Sequence, residues 1–373
     1  MNFTINKGDI SGVLGNIQGL TGRRSNLAIT ENILIKATAN NVTMIASDLE
    51  TGFEGTYPAE VASEGTIAIN ARKFFEIVRD FPSDDILINE VENRWIEIGK
   101  DKVMYHIVGM NPDDFPETPQ IEDIDFFSID SFTFKNMIER TTVIGHAGDE
   151  KRAHIVGVFA QCLKEADHQI LRMVSTDGSR LNKVDYILSD DEKIPSGDGV
   201  LIPKKGLNEV IKFLTSDQTI QIGFKHNHFI VQKDKETLVI RLLEGDFPDY
   251  SQIVSKNEAA NYLKINRKMF SMMLKRMSIL SSENYKSVIF NFNDDKLEIT
   301  TTNPDLGESK EEMVLTFGKD PIEVAFNPKY FIDTLNVINE EFIVLNITDA
   351  GKPCLIEAEK DKSFLSVVMP MRI

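Results

Sequence analysis

Hydrophobic and polar positions along the chain follow two rhythms. Short stretches such as TIAINA, ILINEV, TIQIGF, HFIVQK and LEITTT alternate apolar and polar residues and are bounded by Asn, Asp and Gly. That period of two predicts antiparallel strands joined by hairpins. Between them lie segments of helical period. Three share one pattern, namely an apolar residue, a turn residue, a basic residue and then an apolar helical run: INARKFFEIV (69–78), IPKKGLNEVI (202–211) and FNPKYFIDTL (326–335). Stacked without gaps, Arg72, Lys205 and Lys329 share a column, as do Phe74, Leu207 and Phe331, and Glu76, Glu209 and Asp333. One side of each predicted helix is apolar: Phe74, Ile77, Val78 and Phe81; Leu207, Val210, Ile211 and Leu214; Phe331, Leu335 and Ile338.

An internal repeat fixes an architecture before any single residue is discussed. Further anchors keep the same order. Each unit opens on a strand-like run that leads into a helix: FTINKGDISGVL (3–14), FSIDSFTFKNMI (127–138) and LKINRKMFSMML (263–274). A strand pattern recurs as VTMIASD (42–48), LRMVSTD (171–177) and LEITTTN (297–303), and a DFP tripeptide follows at 114–116 and 246–248. Polar, acidic stretches near 125 and 257 mark the boundaries, giving units 1–125, 126–257 and 258–373. Two helices and many strands per unit make an α+β class, with helices packed on antiparallel sheets.

The helices also carry basic residues at one spacing. Arg72 and Arg79, Lys205 and Lys212, and Lys268 and Lys275 are each seven apart, nearly two whole turns, so each pair shares a face. An ordinary solvated face would do the same for one helix; its repetition in three helices is what suggests a basic stripe. That matters because the formal net charge is -17. An acidic chain argues against simple nucleic-acid affinity unless positive charge is gathered on one surface. No run approaches the roughly 18 apolar residues of a membrane span. The N-terminus MNFTINKGDI has no export signal, which points to the cytoplasm. Cys162 and Cys354 sit in apolar runs and are expected as buried free thiols.

Catalytic chemistry is hard to find. GLTGRRS and FGKDP lack phosphate-loop spacing. The glycines Gly12, Gly15, Gly19 and Gly22 have no dinucleotide-binding unit around them. His226 and His228 read as a hairpin turn rather than a metal fragment, and Asp177 as a turn aspartate accepting backbone hydrogen bonds. Asp84–Asp85 and Glu311–Glu312 read as solvated loops, and Met269, Met272, Met273 and Met277 have core spacing.

Seven segments in order, MNFTI, NARKFFEIVRDFP, STDGSRL, LIPKKGLNEVIKFL, GDFPDY, RMSILSSENYKSV and the terminal VVMPMRI, span the whole chain. With them the sequence resembles the bacterial sliding clamps, the beta subunits of DNA polymerase III. The resemblance implies three clamp-type domains per chain and two chains joined head-to-tail in a ring, with helices lining the hole. It implies a non-catalytic processivity subunit without cofactor or metal that encircles double-stranded DNA independently of sequence and acts in the cytoplasm at the nucleoid. Its further partners would be the replicative polymerase, an ATP-driven clamp loader and repair factors, all bound through short extended peptides.

Positions carry over residue by residue. The DNA-facing set would be Arg24, Arg72, Lys73, Arg79, Lys135, Arg140, Lys204, Lys205, Lys212, Arg267, Lys268, Lys275 and Lys329. The peptide cleft would be walled by Arg152, His154, Ile155, Thr176, Gly178, Ser179, Arg180, Leu181, Pro248, Ile253, Asn327, Tyr330, Val367, Met369, Pro370, Met371 and Arg372. Flexible methionines beside Pro and Tyr suit a site that accommodates several sequences. Ser179 stands where the best-known relatives have histidine, and Ser251 and Gln252 where they have arginines. The dimer interface would join Ile279 and Leu280 to Lys73, Tyr105 and Ile107 of the other chain. The alternatives are a specialised or phage-type clamp, an acidic protein-binding scaffold without a DNA role, and a metal-dependent nuclease or nucleotidyltransferase, for which no paired-carboxylate motif speaks.

Overall fold

A computed structural model describes residues 1–21, 27–117, 124–145, 153–165, 167–188, 199–214, 217–255, 261–281, 286–293, 295–317 and 320–372. By compactness these fall into two units, one within 1–135 and 205–242, the other within 136–188, 199–204 and 243–372. The second sequence repeat is thus divided between them, and each unit is described by itself.

All six helices expected from the repeat are present: α1 (Lys7–Asn16), α2 (Ala71–Asp80), α3 (Ser131–Thr142), α4 (Lys204–Phe213), α5 (Arg267–Met277) and α6 (Pro328–Asn336). Each follows a strand directly or by one residue, and a polar side chain makes most of the joints. Asn6, Asn70, Asn266 and Asn327 cap the first turns of α1, α2, α5 and α6 by accepting from Gly8, Lys73, Met269 and Lys329 backbone N–H groups. Asp130 Oδ2 does the same for Thr133 N–H at 2.8 Å. Such caps answer backbone donors that the helix cannot satisfy itself.

The first unit holds a 12-stranded antiparallel sheet. Its long member, Thr51–Ser63, pairs at one end with Asn2–Asn6 and at the other with Glu236–Arg241, so one strand joins the sheets of the first and second repeats. The path runs outward to Val103–Val108, a terminal strand that among the described residues pairs only with Trp95–Lys100. The second unit holds an 8-stranded sheet and a 4-stranded sheet. Here Arg180–Ile187 pairs with Phe364–Val368, joining the second repeat to the third, while Gly307–Val314 is the open edge of the smaller sheet.

The stacked apolar column is the core. Phe74, Leu207 and Phe331 are each 0% exposed. Around Phe331, the rings of Phe270, Phe290 and Phe326 lie with centroids 5.1 to 6.1 Å from their neighbours, mostly edge-to-face. Ile211, expected in the core of α4, is only half-buried. The DFP motif also has a shared role. Phe115 closes a cluster with Ile29, Leu34, Ile45 and Ala68, and Phe247 stacks on Phe159 at 5.0 Å.

Several sequence expectations change. Met273 and Met277 are buried, but Met269 and Met272 are 61% and 48% exposed, because α5 packs only the face that carries Phe270, Met273, Leu274 and Met277. Glu311 and Glu312 are not loop residues. They lie in the strand Gly307–Val314, where Glu311 pairs with Arg276 and Glu312 with Lys296. Cys354 is a buried free thiol, whereas Cys162 is half-buried, with burial pushing its thiol up to about 12. His226 sits in a hairpin turn and His228 opens the next strand. Among the described residues no cluster of His, Cys, Asp or Glu could hold a metal ion, and no helix is long and apolar enough to cross a membrane.

Candidate functional site

Two kinds of surface were expected, a basic helix face and an apolar cleft. On α2, Arg72, Lys73 and Arg79 are well exposed, at 76%, 65% and 55% of their side chains. Their charge is partly answered on the same helix. Arg72 and Lys73 both donate to Glu76, at 3.1 and 2.9 Å, and hold its carboxyl below the usual range, Lys73 more strongly. Arg79 pairs with Asp80. On α4, Lys205 Nζ lies 2.8 Å from Asp48 Oδ2, and Lys212 Nζ is 3.0 Å from both oxygens of buried Glu209. On α5 and α6, Lys268, Lys275 and Lys329 are exposed, with no ion pair to any described residue. Lys135 is half-buried.

Three expected DNA-facing cations are buried or half-buried and engaged within the fold. Lys204, the first residue of α4 after the strand Val200–Pro203, is 2% exposed and donates to Ile155 O at 2.7 Å. Burial, the largest cause, lowers its pKa to about 8. Arg140 is 15% exposed, paired with Asp361 at 2.8 Å and stacked over Phe364. Arg267 spends its guanidinium on the carbonyls of Glu340 and Leu335, tying α5 to the end of α6. Arg24 lies outside the described residues.

The cleft positions gather in the second unit. The turn from Thr176 to Arg180 is built by local hydrogen bonds. Asp177 Oδ1 accepts from the N–H groups of Ser179 and Arg180, and Thr176 Oγ1 donates to Arg180 O and accepts from Gly178 N–H. Gly178 supplies the left-handed backbone the turn needs, at φ +88°. Leu181 pairs with Val367 across the joint strands, and Met369 N–H donates to Ser179 O at 2.9 Å. The C-terminal segment then bends away, with Met371 N–H on Ala325 O at 2.8 Å.

Beneath this turn Val174, Leu181, Leu355, Leu365 and Val367 form an apolar cluster, covered by Phe159, Phe247, Tyr250 and Val254. At its rim stand exposed apolar side chains: Ile253 at 38%, and Met369 and Met371 at 37% each. Pro248 and Arg372 are exposed, and His154 and Pro370 half-buried. Ile155 is buried, with its carbonyl taken by Lys204. Asn327 is 8% exposed and caps α6. Arg180 crosses from the turn to α6, its guanidinium 4.4 Å over the Tyr330 ring and bonded to Asp177 and Asp333. Arg152 lies outside the described residues. Lys204, Asp177 and Asp333 were missed as parts of this site. The repeat alignment did mark the third of them, since it put an acid at that place in every unit.

Three domain families match the chain in order: the DNA polymerase III beta subunit N-terminal domain over 1–119, the central domain over 128–249 and the C-terminal domain over 253–372. The chain belongs to the bacterial beta sliding clamp family. It is 28% identical to the beta sliding clamp of Vibrio cholerae over the whole of both chains. The sliding clamp of Bacillus subtilis is 25% identical with a TM-score of 0.91, covering 100% of this chain and 99% of its own. A Bartonella birtlesii clamp solved with griselimycin gives 25% and 0.91 over the whole of both. As a sliding clamp of DNA replication this chain is a non-catalytic processivity factor, which accords with a structure organised around faces and a cleft.

Proposed function

We propose that two copies of this clamp close head-to-tail around duplex DNA, each contributing domains 1–125, 126–257 and 258–373, and that the ring acts in the cytoplasm at the nucleoid. Six helices of equivalent origin, each with a buried face and a polar one, support this reading most directly. The duplex would meet Arg72, Lys73, Arg79, Lys205, Lys212, Lys268, Lys275 and Lys329. Phosphate contacts of this kind carry no sequence information and exchange quickly, so a ring held by topology can slide. Lys268, Lys275 and Lys329 are the cations best placed for it, because no described carboxylate competes for them.

The closure surfaces would be the exposed Tyr105 and half-buried Ile107 on an open strand edge together with Lys73 of α2, and Ile279 with Leu280 on the turn after α5. Ile279 is 72% exposed, the kind of apolar side chain that a head-to-tail contact with a different patch covers. The cleft around Arg180, Tyr330, Ile253, Met369 and Met371 would take extended peptides of the polymerase, the loader and repair factors, and a ligand of the kind the Bartonella clamp carries.

Retention on circular DNA tests the ring. The protein is loaded onto a nicked plasmid with a loader complex and ATP, isolated in high salt, and the plasmid is then cut. Retention on the circle with release on cutting is the expected result. Salt-sensitive binding that ignores cutting would identify an open surface binder instead.

A further inference from the structure

The repeat places an acid at one position of the second helix in every unit, yet the three acids do different things. Glu76 accepts from Arg72 and Lys73 on its own helix, and Glu209 from Lys212 on its own. Asp333 instead reaches into the preceding repeat, where its Oδ2 takes Arg180 Nη1 at 2.8 Å. Asp177 Oδ2 takes the Nε of the same guanidinium at 2.9 Å. The ring below, Tyr330, stands three residues before Asp333 on α6, so ring and carboxylate share a face. Arg180 is 6% exposed. Lys204, buried next to this group, supplies a second cation. Two cations thus face two carboxylates, and the cluster is balanced in charge.

We propose that Asp333 is a positioning and specificity-determining residue of the peptide cleft. It holds the Arg180 guanidinium flat on Tyr330 and cancels its charge, so that this wall receives a neutral peptide side chain and rejects a carboxylate. The inference rests on the cleft reading given above. Its physical basis is simple. An arginine with a free donor edge is the strongest attractor of a carboxylate that a protein can offer. Here both Nε and Nη1 are engaged by acids of the chain itself. A peptide carboxylate brought to the same guanidinium would be a third negative charge at a half-desolvated place, where like charges repel most strongly. The clamped guanidinium also fixes the Tyr330 ring by cation–π contact, so the aromatic surface is ready before a peptide arrives.

A residue that only pinned the second repeat to the third would matter for stability but not for selectivity, and the test separates the two. Asp333→Asn and Asp333→Glu are made in the full chain. Binding is followed by fluorescence anisotropy with hexapeptides of leucine, phenylalanine and one asparagine, and with their copies carrying aspartate, the polar residue being moved through all positions. Wild type is expected to prefer the neutral member at the position that meets Tyr330. Asp333→Asn should bind that neutral peptide roughly 3- to 10-fold more weakly, as the ring loses its support, and should lose or invert the preference. Asp333→Glu should restore it. A variant that melts earlier but keeps the wild-type ratio of the two affinities would overturn the proposal, as would one that changes neither. Ile253→Asp serves as the separate control. If it leaves the neutral peptide bound as before, or if wild type binds no peptide of the set, the cleft reading itself falls.

Discussion

Lys204 illustrates how much a single residue's setting decides. Two neighbouring lysines open α4, and one of them is half-buried while the other, at 2% exposed, is the most buried lysine or arginine of the described chain. Its amine is charged in an unfolded chain up to an ordinary value of 10.5, but in the folded one only to about 8, because burial penalises the charge. The folded chain therefore gives up this proton first. The penalty is fully present below about pH 8 and is relieved as pH rises towards 10.5, so stability attributable to this group rises with pH over that window, by at most roughly 3 kcal/mol. Lys204→Met should abolish that rise. Urea unfolding of both proteins at about pH 7 and about pH 10 reads it as a difference between differences, and equal pH responses would show that the lysine does not titrate there. The variant also strands the Ile155 carbonyl, which costs about 1–3 kcal/mol and makes its stability at neutral pH close to wild type.

At the scale of elements, the sequence was legible wherever a pattern had one physical cause. The repeated columns held because a helix starting at a strand end must cap its first turn and bury one side. Asn70, Asn266 and Asn327 do the first, and Phe74, Leu207 and Phe331 the second. Asn266→Ala is accordingly expected to cost about 1 kcal/mol, with Asn266→Asp recovering most of it, in chemical denaturation of the variants. A loss below a few tenths would mean that packing alone starts α5. Legibility failed where one residue type has two uses. A lysine or arginine on a helix can serve phosphate or an acceptor within the fold, and spacing does not separate the two, so Lys204, Arg140 and Arg267 were placed with the exposed cations. Methionine failed likewise. Met269 and Met272 fit a core period as well as Met273 and Met277 do, and only the arc of α5 that meets its neighbours distinguishes them. Cleft residues were found by family position, while the acids that hold Arg180 were not, since Asp177 was legible only as a turn residue and Asp333 reaches Arg180 across 153 residues of chain.

At the scale of the whole molecule, the net charge of -17 must coexist with DNA inside the proposed ring. Intrahelical acids mute α2, so most of the net attraction is assigned to α5 and α6. Lys268→Ala with Lys275→Ala should lower the log–log salt slope for binding a short linear duplex by about 2 for each chain that contacts it, equally for all sequences. Removing Arg140 or Arg267 should destabilise the fold while leaving that slope alone. Closure of the ring makes a separate demand. Ile279→Ala with Leu280→Ala removes apolar area at one end of each chain, and a head-to-tail dimer has two interfaces, so the ring carries the defect once in each of them. Burying a side chain of this size is worth about 1.5–3 kcal/mol, and truncating one to Ala removes most of that. The double variant should therefore dissociate at concentrations where wild type stays dimeric, with only a small change in each subunit's thermal unfolding, because Ile279 is exposed and Leu280 half-buried rather than in the core. Light scattering on dilution gives the mass. A variant as dimeric as wild type at every concentration would place the closure contact elsewhere, and the open edges Val103–Val108 and Gly307–Val314 would then have to carry it through their backbones.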